Sequence, residues 1–382
     1  MQIGMSSSQT IMEPSAGQAQ ELENPESPAP SPLRSVYTTN LPPLFQRLDR
    51  AFLVTTYQAG RLVVLRVKDG AMNTHFRRFP RPMGLDATHK LLAIGTKQDL
   101  LLFHNVPAVA PRVDPPGPYD ACYVPRSVHT TGFIDIHEMA FDDDGTLWIV
   151  NTRFCCLCTL DNDYSFVPRW RPSFVSALAP EDRCHLNGIA MVNGRPRYVT
   201  ALGETDKPGG WRENKKSGGV LIDIHSNEIM CRGLSMPHSP RWYRDQLWIL
   251  ESGKGSIGRV DLSTGNVQTV REVPGFTRGL DFVGPYAFIG LSQVRENAVF
   301  AGLPLTERVE ERNCGVWVVN IETGETAGFV RFEGEVQEIF AVKALPPGIR
   351  CPEVLEASDK LVESCYVLPE ESLLEVPKEL LS

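Results

Sequence analysis

Hydrophobic residues in this chain occur in short runs separated by polar turn residues, with little of the spacing that amphipathic helices require. The pattern is clearest in three consecutive runs, Ile136 to Phe141, Thr146 to Val150 and Phe154 to Leu160. The first two are joined by Asp142-Asp143-Asp144-Gly145, which ends in the Asp-Gly pair typical of tight hairpins. The pattern therefore predicts three consecutive antiparallel strands in this segment.

The same unit recurs along the chain from Phe52 onward, at a spacing of roughly 40 to 55 residues that fits four strands per unit. Six units can be counted, but the first, at Phe52, lacks its first strand. Near the other end of the sequence, Val336 to Val342 has the pattern of that missing strand. Pairing the two would close the sheets into a ring and remove exposed sheet edges. The sequence thus predicts an all-β fold, a six-bladed β-propeller in which a C-terminal strand completes the N-terminal blade.

Changes in composition divide the chain into three segments. Residues 1–35 are rich in Ser, Gln, Glu, Pro and Ala and have few large apolar side chains, which predicts a disordered N-terminal tail. Residues 36–345 carry the repeats and form the predicted propeller, which begins with a short helix over Leu41 to Leu48. Residues 346–382 form an acidic extension, which we expect to be partly ordered because it contains several Leu side chains and Tyr366.

The net charge and the cysteines indicate which kinds of partner the protein could bind and in which compartment it resides. The formal net charge of −8 argues against a general nucleic-acid surface, which needs clustered Lys and Arg. The chain has no run of about 18 apolar residues, so no membrane partner is expected. Residues 1–20 lack the apolar core of a signal peptide, and the nine cysteines are odd in number and irregularly spaced. These features predict a cytoplasmic protein with reduced thiols.

Histidines are concentrated where a propeller would place its channel. The first strand of each blade lines the central channel, and the beginnings of these strands meet at one face, the top. Three of the eight histidines, His137, His185 and His238, fall at the beginnings of three consecutive first strands. Neutral imidazole is a common metal ligand and an acid or base near neutral pH. We therefore predict these three as metal ligands, and His137, Glu138 and Arg278 as catalytic residues.

Other polar side chains at the same face are predicted substrate contacts. They are Asn187, Arg241, Glu251, Gln337 and Glu338. Two long insertions, Gly203 to Gly218 and Ser292 to Cys314, would cover the mouth of the channel.

The sequence is compatible with two functions. In the first, a small molecule or peptide enters the top of the channel and the histidines act in a hydrolase or isomerase, with or without one divalent transition metal. In the second, the propeller is a non-catalytic module that binds a protein partner, and the channel histidines are structural.

The unit HEMAFDDDGTLWIVNTRFCCLCTLD resembles the repeats of six-bladed propellers of the NHL and SMP-30 (gluconolactonase-like) families. The segments Ile136 to Ala140, His185 to Gly188 and Pro237 to Trp242 more closely resemble an uncharacterised bacterial propeller family, a conserved domain of unknown function sometimes found with tetratricopeptide proteins. The resemblance spans about residues 40 to 345. It implies the six-bladed fold and no particular activity.

The SMP-30 resemblance also bears on the metal. That group holds a divalent metal with carboxylates and Asn in the channel, and here Asn187 stands at a suitable position. Histidine replaces carboxylate at other positions, which favours a softer transition metal over calcium.

Overall fold

Short β-rich runs and frequent turns produce six sheets, each built mainly from four antiparallel strands, as the sequence pattern predicts. The computed structural model describes residues 31–293 and 302–380. The predicted disorder of residues 1–35 therefore falls almost entirely outside the described residues. In the described part of the chain, no helix is long and apolar enough to cross a membrane.

The first half of the chain builds three blades in sequence order. Before the blades come β1 (Ser35–Tyr37) and α1 (Leu41–Leu48). Blade I contains β2 (Phe52–Thr55), β3 (Arg61–Lys68) and β4 (Ala71–Arg78). Blade II contains β5 (Leu85–Ala87), β6 (Leu91–Gly95), β7 (Asp99–Asn105) and β8 (Ala121–Thr130). Blade III contains β9 (Ile136–Phe141), β10 (Leu147–Asn151), β11 (Cys156–Thr159) and β12 (Val167–Trp170).

The second half of the chain continues the repeat. Blade IV contains β13 (Leu186–Val192), β14 (Arg195–Ala201), β15 (Gly219–Asp223) and β16 (Ile229–Leu234). Blade V contains β17 (Pro237–Tyr243), β18 (Gln246–Glu251), β19 (Ser256–Asp261) and β20 (Asn266–Glu272). Blade VI contains β21 (Phe276–Val283), β22 (Tyr286–Ser292), β23 (Gly315–Asn320) and β24 (Thr326–Phe332), with α2 (Pro304–Arg308) inside it. After it come β25 (Ala341–Ala344), β26 (Pro352–Val354) and α3 (Glu370–Leu373).

Short 3₁₀ helices occupy several of the connections. They are Tyr57–Ala59, Pro107–Arg112, Gly210–Asn214, Lys360–Ser364 and Lys378–Leu380.

The ring closes as predicted, because β25 pairs with β2 and completes blade I. Phe52 lies opposite Ala344 and Thr55 opposite Ala341. The predicted bounds of the closing strand, residues 336–342, were wrong: the ladder begins only at Ala341. The residues before it bridge two blades instead, since the Ile339 amide donates to the Ser292 hydroxyl at the end of blade VI.

Two further strands extend the sheets beyond the four-strand pattern. The N-terminal β1 adds to blade VI, antiparallel to β24, and β26 adds to blade II, parallel to β8. The predicted helix over Leu41 to Leu48 is confirmed, and its buried residues Leu41, Leu44 and Phe45 pack into the core between blades VI and I.

Hydroxyl groups at the ends of second strands join neighbouring blades. In four blades, a Ser or Thr there donates a hydrogen bond to a carbonyl oxygen of the next blade's channel segment. The donors and acceptors are Thr55 and Met83, Thr152 and Leu186, Ser252 and Thr277, and Ser292 and Ile339. These hydroxyls are buried beside the beginning of the channel, and two of them, Thr152 and Ser252, also contact channel histidines.

Candidate functional site

A cavity of about 210 Å³ opens where the channel strands begin. Four of the residues predicted from the sequence line it: His137, His185, His238 and Arg278. The remaining lining residues are Tyr57, Asp135, Leu202, Trp211, Arg212, Met236, Phe276 and Phe340. The cavity wall is therefore largely aromatic, and its polar side chains are three histidines, two arginines, one aspartate and one tyrosine.

Left-handed backbone conformations bring several of these side chains to the cavity. Asp135, His185 and Met236 lie directly before the channel strands of blades III, IV and V, and their φ angles are 57°, 52° and 47°. This region is unfavourable for residues other than Gly, by roughly 1–3 kcal/mol each. All three residues line the cavity, so part of the backbone strain of the chain lies at the candidate site.

The three histidines do not all occupy the same position in their blades. His137 is the second residue of β9 and His238 the second of β17, so these two histidines occupy equivalent positions. His185 precedes β13 and is instead equivalent to Asp135.

Hydrogen bonds fix the tautomer of His137. The Thr152 hydroxyl has one proton, which it donates to the Leu186 carbonyl oxygen at 2.5 Å. Its oxygen must therefore accept from Nδ1 of His137, which lies 2.8 Å away. The Nε2 atom of His137 is left with its lone pair, is fully buried, and has no hydrogen-bond partner among the described protein groups.

His238 is held by an equivalent arrangement. Its Nδ1 lies 3.0 Å from the Met236 carbonyl oxygen and 2.9 Å from the Ser252 hydroxyl, which donates its own proton to Thr277. A carbonyl oxygen only accepts, so Nδ1 of His238 carries the proton and Nε2 is an acceptor. The third histidine, His185, has its Nδ1 2.8 Å from a carboxylate oxygen of Asp182.

The imidazole rings form a compact group. The centroid of the His137 ring lies 4.7 Å from that of His185, at a steep angle, and 6.5 Å from that of His238, nearly parallel to it. Burial, followed by the positive charge of Arg278, lowers the pKa of both His137 and His238 well below 6.5. Both rings are therefore neutral at neutral pH.

Arg278 lies at another side of the cavity. Its guanidinium carbon is 3.5 Å from the centroid of the Phe340 ring, and one of its nitrogens is 3.6 Å from a Glu338 carboxylate oxygen. Burial lowers the pKa of Arg278, but from a value so high that the group stays charged at neutral pH. Burial also raises the pKa of Asp135 and of Glu338.

The long loop from Gly203 to Gly218 closes the cavity on one side, as predicted. Its 3₁₀ turn buries Trp211, whose ring centroid is 4.5 Å from that of His185. The Trp211 indole N–H donates to Asp182 at 2.9 Å, and Arg212 lies 3.3 Å from the same carboxylate oxygen. Asp182 thus positions His185 and anchors the loop. The second predicted lid, Ser292 to Cys314, lies partly outside the described residues.

Several predicted site residues lie away from the cavity and connect blades. Glu138 accepts two hydrogen bonds from Arg241, at 3.0 and 3.1 Å, and a third from the Ile189 amide. Asn187 links the Thr200 hydroxyl to the Pro237 carbonyl oxygen.

The other predicted contacts also have protein partners. Glu251 accepts from the Ser235 amide and from Lys254. The Gln337 carbonyl oxygen accepts from the Gln293 amide, and Glu338 lies beside Arg278. None of these side chains borders the 210 Å³ cavity.

The cavity residues that the sequence did not predict come from outside the channel strands. Phe340 precedes the closing strand, Tyr57 lies in a 3₁₀ turn after β2, and Trp211 comes from the long loop. In the sequence, the unusual length of that loop was the one feature that indicated a contribution of Trp211 to the cavity.

The three histidines share one property with the imidazole ligands of metal sites. Each Nδ1 donates to an acceptor, an arrangement that is usual for imidazole ligands. However, no group of three or more His, Cys, Asp or Glu in residues 31–293 and 302–380 is arranged to hold a metal ion. The predicted transition metal therefore stays a prediction.

Comparison with protein families gives a match over most of the propeller. Residues 39–355 match the family described as a domain of unknown function, DUF4915. The chain belongs to the DUF4915 family. The prediction of a propeller family with no assigned function is thereby confirmed. No match was found among curated proteins.

Solved structures similar to this DUF4915 protein have low sequence identity. One is from a nidogen/laminin complex, with 10% identity, a TM-score of 0.49, and coverage of 77% of this chain and 97% of that one. Another is a protein of unknown function from Bacteroides caccae, with 8% identity, a TM-score of 0.49, and coverage of 78% and 98%.

Proposed function

We propose that this propeller binds one small molecule in the cavity at the top of its channel. The observation that carries the proposal is the Nε2 atom of His137, a buried acceptor that has no partner among the described protein groups and belongs to a side chain lining the cavity. An unsatisfied buried polar atom costs about 1–3 kcal/mol, and native structures contain few of them. A ligand that donates a hydrogen bond to this atom would remove that cost.

The size of the cavity limits the ligand. Pockets for drug-sized molecules usually measure about 300–1,000 Å³, and this one measures about 210 Å³. A small metabolite-sized molecule fits these dimensions better than a peptide of several residues. Of the predicted ligand classes, the geometry therefore favours the small molecule.

The state of the histidines supports binding more than acid–base catalysis. A general base works best when its pKa is near the operating pH, whereas burial holds the pKa of His137 well below 6.5. Neutral imidazoles with fixed tautomers are, in contrast, good hydrogen-bond acceptors. Hydrolase or isomerase activity remains a prediction, as does a non-catalytic role in binding a protein partner.

The location in the cytoplasm also remains a proposal. It is supported by the nine cysteines, all of which lie in the described part of the chain and are free thiols. Disulfides are rare in reducing compartments.

The proposal can be tested by screening small polar molecules for thermal stabilisation of the whole protein and measuring affinities by calorimetry. His137→Asn is the informative variant, because the Asn amide can replace the Nδ1 donor to Thr152 but not the Nε2 acceptor. His129→Asn is the control, since His129 is half-buried and contacts the Ser165 carbonyl oxygen away from the cavity.

We expect a hit to bind the wild type and the control equally and the His137→Asn protein at least roughly tenfold more weakly. Elemental analysis of the same samples tests the metal. Ligands whose affinity is unaffected by His137→Asn would contradict the proposal.

A further inference from the structure

We propose that the ligand is a small monocarboxylate that also carries a hydroxyl or amino group, with its carboxylate on Arg278 and its donor group on His137 and His238. This inference rests on the proposed function and adds the class of ligand. Two independent features of the cavity support it: an available cation at one side and a set of acceptors at another.

Arg278 is the available cation. Its side chain is 13% exposed, and its only ionic partner among the described residues is Glu338, at 3.6 Å, which is longer than a hydrogen bond. The guanidinium makes no hydrogen bond to a described protein group, and one of its faces is covered by Phe340. A planar guanidinium with unused N–H groups is suited to bidentate contact with a carboxylate.

The acceptors lie on the histidines and Asp135. The Nε2 lone pairs of neutral His137 and His238 repel an anion and attract a hydroxyl or ammonium group. Asp135 lines the same cavity, and in the described part of the chain the nearest basic nitrogen to its carboxylate is Nδ1 of the neutral His137, at 3.7 Å. A ligand must therefore place its negative charge at Arg278 and its donor group at the imidazoles.

The charge balance argues against two negative charges on the ligand. The two arginines of the cavity wall are both near carboxylates, Arg278 beside Glu338 and Arg212 beside Asp182. Asp135 adds a further carboxyl group to the wall. A phosphate monoester would bring about 1.5 to 2 negative charges at pH 7, and the cavity lacks the cations to match them. A carboxylate brings only one negative charge.

Matched pairs of ligands test this directly by calorimetry on the full-length protein. Lactate and alanine share a skeleton and differ in the donor group, as do glycerate and serine. Propionate lacks the donor, lactamide lacks the charge, and glycerol phosphate carries the larger charge. We expect binding of at least one donor-bearing acid, and affinities roughly tenfold or more lower for propionate, lactamide and glycerol phosphate.

Two arginine variants complete the test. Arg278→Gln removes the charge, and Arg278→Lys keeps the charge without the planar fork, so the lysine variant remains informative if the glutamine variant does not fold. Arg244→Gln is the matched control: Arg244 also lies over an aromatic ring, Tyr243, and pairs with a glutamate, Glu322, but on the exposed surface.

We expect carboxylate affinity to fall at least roughly tenfold in Arg278→Gln, less in Arg278→Lys, and not at all in Arg244→Gln. Uncharged polyols that bind through His137 without Arg278 would overturn this inference and leave the proposed function intact. Stronger binding of glycerol phosphate would also overturn it. If no member of the panel, and no molecule in the wider screen, binds the cavity, both proposals fail.

Discussion

Glu353 on β26 lies 3.0 Å from Nε2 of His75 on β4, so the C-terminal strand that extends blade II is also tied to blade I. The same carboxylate accepts from Arg77 at 2.8 Å and lies 3.8 Å from the buried Arg66. Burial alone would raise the pKa of Glu353, but the hydrogen bond and charge of His75 and the charge of Arg77 lower it to about 2. The carboxylate is thus the centre of a buried ionic cluster.

Glu353→Gln should therefore destabilise the fold strongly. Removing one partner from a buried cluster leaves the remaining cations without compensation, at a cost of about 3–5 kcal/mol. Urea denaturation at pH 7 measures this change. Glu322→Gln breaks an exposed pair with Arg244 and should cost less than about 1 kcal/mol. Equal effects of the two substitutions would show that the cluster does not hold β26 in place.

The neutral channel histidines predict a stability that declines in mild acid. The folded-state pKa of His137 and of His238 lies below the unfolded value of 6.5, so the unfolded chain binds more protons as the pH falls below 6.5. Their contribution is complete above pH 6.5 and is lost progressively below it. Arg278 and His185 face both rings and oppose protonation. Melting temperatures measured from pH 7.5 to 5 should fall.

The double variant His137→Asn, His238→Asn should show a shallower decline over the same range, because the two titrating groups are gone. A wild-type melting temperature that is constant from pH 7.5 to 5 would contradict the neutral, buried state of the histidines.

Thr152 provides a test of the tautomer assignment. Thr152→Val removes the acceptor for the His137 Nδ1 proton and the donor to the Leu186 carbonyl oxygen, both buried, and should cost about 1–3 kcal/mol. Thr152→Ser keeps the hydroxyl and should recover most of that loss. Denaturation curves give the energies, and nitrogen chemical shifts of the imidazole report whether Nδ1 carries the proton. A protonated Nε2 in the wild type would refute the assignment.

The loop that closes the cavity should open when its anchor is removed. Trp211→Ala deletes the indole contact with His185 and the hydrogen bond to Asp182. We expect trypsin to cleave near Lys215 and Lys216 roughly tenfold faster, which corresponds to about 1.4 kcal/mol of lost local stability. Trp211→Phe keeps the aromatic packing and should show an intermediate rate. Unchanged cleavage in the Ala variant would mean that other contacts hold the loop.

The fold could be predicted from the sequence because strand periodicity and turn residues are local signals. The unit around Ile136 and the missing strand of the Phe52 unit were sufficient to predict both the blades and the closure of the ring. The added strand β26 was not predicted, because three residues that pair in parallel with a distant strand have no distinctive local pattern.

The site was predicted only in part, for a physical reason. A histidine at the beginning of a channel strand is visible in the sequence, and all three such histidines reached the cavity. Whether the next polar residue faces the cavity depends on backbone turns such as the left-handed Asp135, and on long-range partners. Glu138 is paired with Arg241, which lies two blades away and 103 residues later in the sequence.

The pairing of β2 with β25 also affects how the chain is made. Ribosomes add roughly 5–20 residues per second, so Ala341 emerges about 15 to 60 seconds after its partner Thr55. During that interval the channel-side edge of blade I has no partner strand, while the five later blades emerge one after another. A nascent chain of this protein therefore has an unpaired sheet edge for most of its synthesis, and blade I can be completed only after all the others have appeared.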